Sequence, residues 1–444
     1  MELLEVYRDG EHVGQFARTK GRISFHYDSP NTAAPISLSL PPRGRHTANA
    51  ARSVLENLLP DNHQVRAAWA RKLDVPDTGF DLLAHVGEDV AGALTLLPEG
   101  ASPSPQPIPA KAATDDEIAE RILALHQHSH AWVAPEQLGK QRMSLAGAQG
   151  KFTLARVGET WFWPNAHLPS THIFKPPHQT LRGIPELESG SLLLARELGL
   201  AAPQTRVIQV LGQPAYLVER FDREARAGTV RRRHTEDFAQ ALGLPPEQKY
   251  RVTAKQILQL LTEHAPQQRY AFVEQLAFNA ALGNADAHGK NYSVYLDRDV
   301  TLTPLYDAVP TLLWPQYDSR LAMKIGGANR PQELTLAHWR KFARANQLDP
   351  DRVAAIAERI AAGIATLGHD VYRRAGAADS ELQRVQQLHA ATTAQVAPPP
   401  AATQYSGGLL AAKANVSDPN RAGKVFVQPH LRNGRLVAGH WRKR

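Results

Sequence analysis

The first hundred residues alternate between apolar and polar positions in short runs that are typical of β-strands. Leu3–Tyr7 and His12–Phe16 follow this alternation on either side of Asp9-Gly10, a dipeptide that favours a tight hairpin turn. Ile23–Tyr27 repeats the alternation and predicts a third strand. The pattern therefore predicts an N-terminal β-rich subdomain over residues 1–98.

The same region also contains helical spacing and ends in a proline-rich stretch. Apolar residues recur three and four positions apart over Ser53–Leu59 and Gln64–Lys72, which predicts two helices. A short strand pair is expected at Asp81–Val86 and Ala93–Leu97. Residues 99–113 include the run SPSPQPIP, which cannot form a regular helix and predicts a connector.

The rest of the chain divides into blocks of different periodicity. Strand patterns dominate the first block, although an amphipathic helix is expected within it at 187–198. Helical patterns dominate the second block, and a stretch with three consecutive prolines follows it. The predicted divisions are a strand-rich lobe at 114–230, a helical lobe at 231–389, a linker at 390–404 and a tail at 405–444. We expect an α+β fold.

Positive charge is concentrated in the tail. The net charge is +8, and residues 405–444 contain eight basic residues against one acidic residue, Asp418. A small hairpin is expected there between Val425–Gln428 and Arg435–Val437. The tail is therefore a candidate surface for nucleic acid, although a solvated tail without a partner would have the same composition.

Composition restricts the chemistry and predicts the compartment. Cysteine is absent, which excludes disulfides and thiolate metal sites. No apolar run approaches the ~20 residues that a membrane-spanning helix requires, and the first residues do not resemble a secretion signal. We expect a cytoplasmic protein with no membrane partner.

The most informative stretch begins at the end of a predicted helix near residue 282. Asp286 and Asn291 are five positions apart, which is the D-x-x-x-x-N spacing of kinase catalytic loops. In such loops the Asp handles the proton of the attacking hydroxyl and the Asn holds magnesium. The alternative is a polar turn in which Asp and Asn favour the loop conformation.

A predicted hairpin follows this loop. Tyr292–Leu296 and Val300–Leu305 are its strands, and pairing would bring Asp307 at the open end close to Asn291. Two oxygen-bearing side chains facing one small region suit a hard cation such as Mg²⁺. Lys290 is expected to reach the γ-phosphate as a point charge.

Three further segments suit a nucleotide triphosphate. Lys175 ends a predicted strand and is a candidate cation for the phosphates, with Glu188 in the following helix as its possible ion-pair partner. Ser144–Lys151 contains two glycines that allow close backbone approach to phosphates, although its spacing is not that of a Walker A loop. Tyr216–Phe221 predicts a strand that leads into a segment offering backbone hydrogen bonds to adenine.

Taken together, these segments resemble the HipA toxin kinases of type II toxin–antitoxin modules. The resemblance extends from residue 1 to about 380 and implies a two-lobed protein-kinase-like fold with an added N-terminal β-rich subdomain. It rests on ordered motifs: SLSLPP (37–42), ENLLPDN (56–62), LLAHVGEDVAGAL (82–94), SLAGAQGKF (144–152), HIFKP (172–176), VERFDR (218–223), HTEDFAQALG (234–243), GNADAHGKN (283–291) and PLYD (304–307).

The resemblance implies an ATP- and Mg²⁺-dependent serine/threonine protein kinase. Its catalytic base corresponds to Asp286, its metal contacts to Asn291 and Asp307, and its autophosphorylated serine to Ser144. Its ATP contacts correspond to Ala146, Gly147, Ala148, Gln149, Gly150, Lys151, Lys175, Glu219, Arg220, Phe221, His288, Gly289, Lys290, Asn291, Tyr306 and Asp307.

The resemblance also implies partners. Family members pair with a small helix-turn-helix antitoxin of the HipB type, and the complex binds operator DNA. They phosphorylate a protein substrate, for which glutamyl-tRNA synthetase is the best-known example. The chain shows no obvious helix-turn-helix of its own, and the tail lies outside the resemblance.

Two other functions stay open at this point. One is a small-molecule phosphotransferase of the aminoglycoside or choline kinase type, although His-Gly usually precedes the Asp in those loops and Asn284-Ala285 stands here. The other is a non-catalytic, DNA-binding corepressor, which the basic tail favours and the full set of phosphotransfer residues opposes.

Overall fold

The computed structural model describes residues 1–30, 35–43, 46, 49–104, 108–128, 150–226 and 229–397, and four short strands between residues 424 and 443. The chain forms two units, which divide between Pro398 and Pro399. In the part that the structure describes, no helix combines the length and the apolar character that crossing a membrane requires.

An antiparallel sheet begins the first unit, as the alternating pattern predicted. Its strands, in the spatial order β3-β2-β1-β4, are β1 (Glu2–Arg8), β2 (Glu11–Thr19), β3 (Arg22–Tyr27) and β4 (Leu94–Pro98). The helices that share its hydrophobic core are α1 (Ala50–Asn57), α2 (His63–Leu73) and α3 (Gly79–Val86). The two helices predicted from the 50s to the 70s are thereby confirmed.

The strand predicted at Asp81–Val86 was wrong, because these residues belong to α3. The Thr78 hydroxyl caps this helix by accepting a hydrogen bond from a backbone N–H of its first turn. Phe80 and Leu83 are buried three positions apart on the same helix face. The predicted partner Ala93–Leu97 does form a strand, but that strand pairs with β1.

A second antiparallel sheet follows helix α4 (Asp115–Gln127). Its strands, in the spatial order β6-β5-β7-β9-β8, are β5 (Phe152–Val157), β6 (Thr160–Phe162), β7 (His172–Lys175), β8 (Thr205–Val210) and β9 (Gln213–Glu219). Helix α5 (Ile184–Glu197) packs on β8 and β9. The strand-rich block predicted at 114–230 contains this sheet.

A mainly helical half follows the paired strands β10 (Arg223–Arg226) and β11 (Thr229–Arg232). Its elements are β12 (Thr235–Asp237), α6 (Phe238–Ala241), α7 (Ala254–His264), α8 (Arg269–Leu282), β13 (Ser293–Leu296), β14 (Val300–Leu302), α9 (Leu336–Ala345), α10 (Pro350–Arg374) and α11 (Asp379–Thr393), with 3₁₀ helices at Pro246–Arg251 and Gly289–Asn291. Helix α10 packs against α5, α8, α9 and α11. Strands β13 and β14 form the hairpin that the sequence predicted.

Two predictions near the C-terminus need correction. Residues 390–393 were assigned to a linker but complete α11, where Thr392 is buried and its hydroxyl donates to Ala281 O at 2.6 Å. In the second unit, the segment paired with Arg435–Val437 is His430–Arg432 rather than Val425–Gln428. The strand Lys424–Val427 pairs with His440–Lys443 instead.

Candidate functional site

A cleft of about 300 Å³ lies between the five-stranded sheet and the segments that follow α8. This volume is at the lower end of the range for small-ligand sites, roughly 300–1,000 Å³. The residues singled out from the sequence that line it are Lys151, Lys175, Glu188, Glu219, Arg220, Phe221, Asp286, His288, Lys290, Asn291, Tyr306 and Asp307. The structure therefore brings most of the predicted site together.

The glycine-containing loop is described only at its end. Ser144 and Ala146–Gln149 lie outside the described residues. Gly150 and Lys151 directly precede β5, and Lys151 is buried at the wall of the cleft. Burial and the neighbouring Lys175 lower the pKa of the Lys151 ammonium to about 8. Two amines close together in a cleft favour an anionic ligand.

Lys175 lies at the end of β7 between two carboxylates. Its Nζ contacts Glu188 Oε1 at 2.7 Å and Asp307 Oδ1 at 3.1 Å, so the predicted ion pair with α5 is present. Burial lowers the pKa of Lys175, but the two carboxylates outweigh it and raise that pKa. Burial also raises the pKa of Glu188 against the attraction of Lys175, and the 2.7 Å contact favours the charged pair.

The loop after α8 presents Asp286 to the cleft. Gly283 ends the helix with φ of +80°, a left-handed conformation that glycine adopts without strain. Asn284 then fixes the turn, because its Oδ1 accepts from Asp286 N at 3.1 Å and its Nδ2 donates to Asn279 Oδ1 at 2.8 Å. Burial raises the pKa of the Asp286 carboxyl, and a hydrogen bond from the Tyr250 hydroxyl opposes that rise.

Asn291 and Asp307 line the same cleft as Asp286. Asn291 Nδ2 donates to the backbone carbonyl oxygen of Asp286 at 3.2 Å, which leaves the amide oxygen of Asn291 as the atom available to a metal ion. Asp307 adopts φ of +54°, which Asp tolerates better than most residues. Burial alone would raise the pKa of Asp307, but Lys175 and Lys151 outweigh it and lower that pKa.

Tyr306 connects the end of the hairpin to the loop. Its hydroxyl donates to Lys290 O at 2.7 Å and contacts Ser293 Oγ at 2.5 Å. Its ring lies 5.0 Å from that of Phe221, which belongs to the segment after β9. Tyr306 therefore contacts three segments that line the cleft. These contacts fix the position of Asp307, which follows it in the chain.

The ammonium of Lys290, which the sequence suggested as a point charge for the γ-phosphate, is paired within the protein. Its Nζ donates to Asp61 Oδ1 at 2.8 Å and to Asn57 O at 3.4 Å, and its side chain is only 4% exposed. Asp61 comes from the N-terminal subdomain and also accepts from Lys249 Nζ at 2.9 Å. The amine of Lys290 thus fixes the loop to the N-terminal subdomain.

Arg220 also has a structural set of contacts. Its guanidinium is buried and donates to Asp222 Oδ2 at 2.8 Å, Ser170 Oγ at 2.9 Å and Val90 O at 3.1 Å. The contact predicted between Glu219–Phe221 and a nucleotide would therefore come from backbone groups rather than from this guanidinium. Glu219 and Phe221 line the cleft beside it.

Two residues of the loop serve its packing. A Cβ at Gly289 would lie 2.5 Å from Val252 Cγ2, so only glycine fits there without a shift. The His288 ring is buried edge-on against the Tyr250 ring, with centroids 5.0 Å apart. Burial lowers the pKa of His288 to about 3, so the imidazole is neutral at physiological pH.

Asp61, Lys249 and Tyr250 are among the residues at the site that sequence patterns did not indicate. Asp61 lies within a motif that carried the family resemblance, but no spacing assigned it a role in the cleft. Lys249 and Tyr250 lie in a 3₁₀ helix with no chemical motif. Their partners are distant in the sequence, so a local pattern contains no signal for the contacts.

The oxygen donors of the cleft fit a cation that arrives with a ligand. Among the described residues, no group of three or more His, Asp or Glu side chains is arranged to hold a metal ion by itself. Mg²⁺ in phosphotransfer sites takes one or two carboxylates and completes its octahedron with waters and phosphate oxygens. Asn291 and Asp307 fit this kind of site.

The sheet with its ion-paired lysine and the loop with Asp286 and Asn291 place the chain in the protein-kinase-like fold class. Family models of the HipA N-terminal domain and the HipA-like C-terminal domain match residues 4–97 and 143–367. The provisionally named kinase Y4mE of Sinorhizobium fredii is 37% identical over 364 residues, which are 78% of this chain and 86% of that protein. The chain belongs to the HipA family, and the resemblance found in the sequence is confirmed.

A further relative, for which a solved structure also matches, comes from Shewanella oneidensis. The serine/threonine-protein kinase toxin HipA of that organism is 29% identical over 356 residues, covering 74% of this chain and 80% of that protein. A solved structure of S. oneidensis HipA with HipB and its operator DNA matches with a TM-score of 0.74 at 26% identity. The match covers 88% of this chain and 96% of that one, so the two share the whole kinase-like fold.

Proposed function

We propose that this protein is an ATP- and Mg²⁺-dependent serine/threonine protein kinase that serves as the toxin of a toxin–antitoxin pair. The observation that carries the proposal is the convergence in one cleft of the Lys175–Glu188 ion pair, the Asp286 loop and the Asp307 carboxylate. Phosphoryl transfer requires mainly positioning and charge neutralisation, and this arrangement can supply both. Membership of the HipA family supports the same reaction.

In the proposed reaction, the oxygen of an acceptor hydroxyl forms a bond to the γ-phosphorus of ATP. The bond from that phosphorus to the bridging oxygen breaks, and its electron pair leaves with ADP. Asp286 orients the hydroxyl and accepts its proton. Lys175 and Lys151 bind phosphate oxygens, and backbone groups of Glu219–Phe221 bind the adenine.

Two oxygen-bearing side chains of the cleft would hold the Mg²⁺ that accompanies the triphosphate. Asn291 and Asp307 would hold Mg²⁺ through one amide oxygen and one carboxylate. When bound, the ion supplies positive charge to the phosphate oxygens. Lys175 beside Asp307 orients that carboxylate in the absence of a ligand, because their contact is 3.1 Å.

The Asp286→Asn variant tests the catalytic assignment. When the purified variant is incubated with ATP, Mg²⁺ and a protein acceptor, its rate of phosphate transfer should be lower than the wild-type rate by about 10²-fold or more. General-base catalysis typically contributes that much. The control is Asp351→Asn, whose carboxylate is exposed at the start of α10 and contacts Arg340 at 3.1 Å. Transfer by Asp286→Asn at the wild-type rate would contradict the proposal.

The partners follow from the relatives. The S. oneidensis HipA structure contains HipB and operator DNA. By analogy, we propose that this chain binds a small helix-turn-helix antitoxin and reaches operator DNA in that complex. Co-purification with the product of the neighbouring reading frame tests this, and failure of two co-expressed proteins to associate would reject it.

Ser144 is proposed as the site of inhibitory autophosphorylation, and an aminoacyl-tRNA synthetase such as glutamyl-tRNA synthetase as the type of protein substrate. A phosphoserine in the glycine-containing loop would repel the phosphates of ATP. Phosphopeptide mapping of the wild type and Asp286→Asn, first alone and then after expression in cells, distinguishes self-phosphorylation from phosphorylation of a target.

A further inference from the structure

The proposed general base, Asp286, already has a hydrogen-bond partner in the hydroxyl of Tyr250. This hydroxyl donates a hydrogen bond to Asp286 Oδ1. Tyr250 belongs to the 3₁₀ helix Pro246–Arg251, and about half of the residue (53%) is exposed at the surface. An acceptor hydroxyl must hydrogen-bond to this carboxylate to transfer its proton, and Tyr250 competes with it for Oδ1.

The helix that carries Tyr250 is held in place by other contacts. Lys249 Nζ contacts Asp61 Oδ2 at 2.9 Å, and Lys290 Nζ of the catalytic loop contacts Asp61 Oδ1 at 2.8 Å. One carboxylate therefore fixes both the helix and the loop. Because Asp61 holds both backbone segments, release of Asp286 by the Tyr250 hydroxyl requires rotation of the tyrosine side chain.

Water is the acceptor that any protein kinase must exclude. A water molecule hydrogen-bonded to Asp286 would have its oxygen form the bond to the γ-phosphorus while its proton passed to the carboxylate. The bond to the bridging oxygen would break with its electron pair on ADP, which gives ADP and inorganic phosphate. If the general base were accessible to water while no protein substrate is bound, the enzyme would hydrolyse ATP in this way.

We propose that Tyr250 is a specificity determinant that keeps water from Asp286 until a protein acceptor displaces its hydroxyl. The inference rests on the proposed kinase function. A protein bound over the exposed face of Tyr250 can rotate the ring aside and insert its own hydroxyl. A single water molecule replaces the tyrosine hydrogen bond with one of its own, but it makes no contacts with the exposed face of Tyr250 that would hold the ring aside.

The Tyr250→Phe variant tests the proposal, because it keeps the ring against His288 and removes only the hydroxyl. Release of ADP from ATP and Mg²⁺ without an acceptor should rise about tenfold or more, as expected for the loss of a hydrogen bond to a charged group. Phosphate transfer to a protein acceptor should stay equal or rise. The control is Tyr270→Phe, whose hydroxyl accepts from Asp349 N at 3.2 Å outside the cleft.

The possible results separate this inference from the function on which it rests. Unchanged ADP release would overturn the role of Tyr250 and leave the kinase assignment standing. A fall in both hydrolysis and transfer would show that Tyr250 positions the base, which also overturns the proposal. Wild-type protein that neither hydrolyses ATP nor transfers phosphate would reject the kinase function and the inference with it.

Discussion

The side chain of Lys175 forms a buried ion pair and also lines the candidate site. It is buried, and its ammonium contacts Glu188, which is also buried, and Asp307, which faces the cleft. A buried ion pair contributes little net stability compared with apolar residues, but removing one partner leaves an uncompensated charge. The structural and catalytic roles of Lys175 can therefore be separated by changing its partner.

Lys175→Met should lower the free energy of unfolding by about 3 kcal/mol and abolish phosphate transfer. The double variant Lys175→Met/Glu188→Gln should recover much of the stability, because the stranded carboxylate is gone, without recovering activity. Denaturant unfolding of both variants, with phosphate transfer measured in parallel, checks this. Recovery of activity in the double variant would mean that Lys175 only neutralises Glu188 and does not bind phosphate.

Residue types could be predicted from the sequence, but the atoms that they contact could not. The spacing of Asp286 and Asn291 and the strand end at Lys175 placed these residues correctly in the cleft. Lys290 was placed there too, yet its amine contacts Asp61, 229 residues away in the sequence. Competition among several carboxylates for one ammonium is decided by tertiary packing, which a local pattern does not contain.

At the scale of elements, the loop between α8 and β13 is held from both sides. The hairpin β13–β14 and Tyr306 fix one side, and Asp61 fixes the other through Lys290 and Lys249. The hairpin was predictable, because its strands flank a run of turn-forming residues. The strand wrongly predicted in α3 comes from a short apolar run that suits a buried helix equally well.

Asp61→Asn should lower the free energy of unfolding by about 3 kcal/mol, because two buried or half-buried ammonium groups lose their carboxylate. Lys290 and Lys249 hold the pKa of Asp61 below its ordinary value even though burial opposes them. The stability that Asp61 contributes is therefore present above the unfolded-state pKa of about 3.9 and is lost as the pH falls below it. Thermal unfolding at pH 7 and near pH 3 checks the sign.

The comparison variant for Asp61→Asn is Asp77→Asn, also in the N-terminal subdomain. Asp77 contacts Arg66 at 2.8 Å, but its side chain is 35% exposed and lies outside the cleft. The Asp77→Asn substitution should lower the free energy of unfolding only slightly and leave phosphate transfer unchanged. Equal losses of activity in the two variants would show that Asp61 acts through general stability and not through the loop.

At the scale of the first unit, the N-terminal subdomain is joined to the segment beside the cleft by buried charges. Asp89 contacts Arg223 at 2.7 Å, and its other oxygen accepts from Ser170 Oγ at 2.7 Å. Arg220 and Arg223 share the carboxylate of Asp222, with contacts of 2.8 Å each. The alternation of apolar and polar residues predicted an N-terminal β-rich subdomain but contained no signal for this network. Through these charges the subdomain supports the segment beside the cleft.

The second unit allows a test at the scale of the whole molecule. Deleting residues 399–444 removes the eight basic residues of the tail and should leave ATP-dependent transfer unchanged, because the described residues that line the cleft belong to the first unit. Operator affinity of the proposed complex with an antitoxin should fall, since basic residues release counterions from DNA phosphates. A plot of log affinity against log salt concentration has a negative slope, and each lost phosphate contact should reduce the magnitude of that slope by about 0.9. Affinity and salt slope equal to those of the full chain would exclude DNA contacts by the tail, and a loss of phosphate transfer would contradict the independence of the first unit.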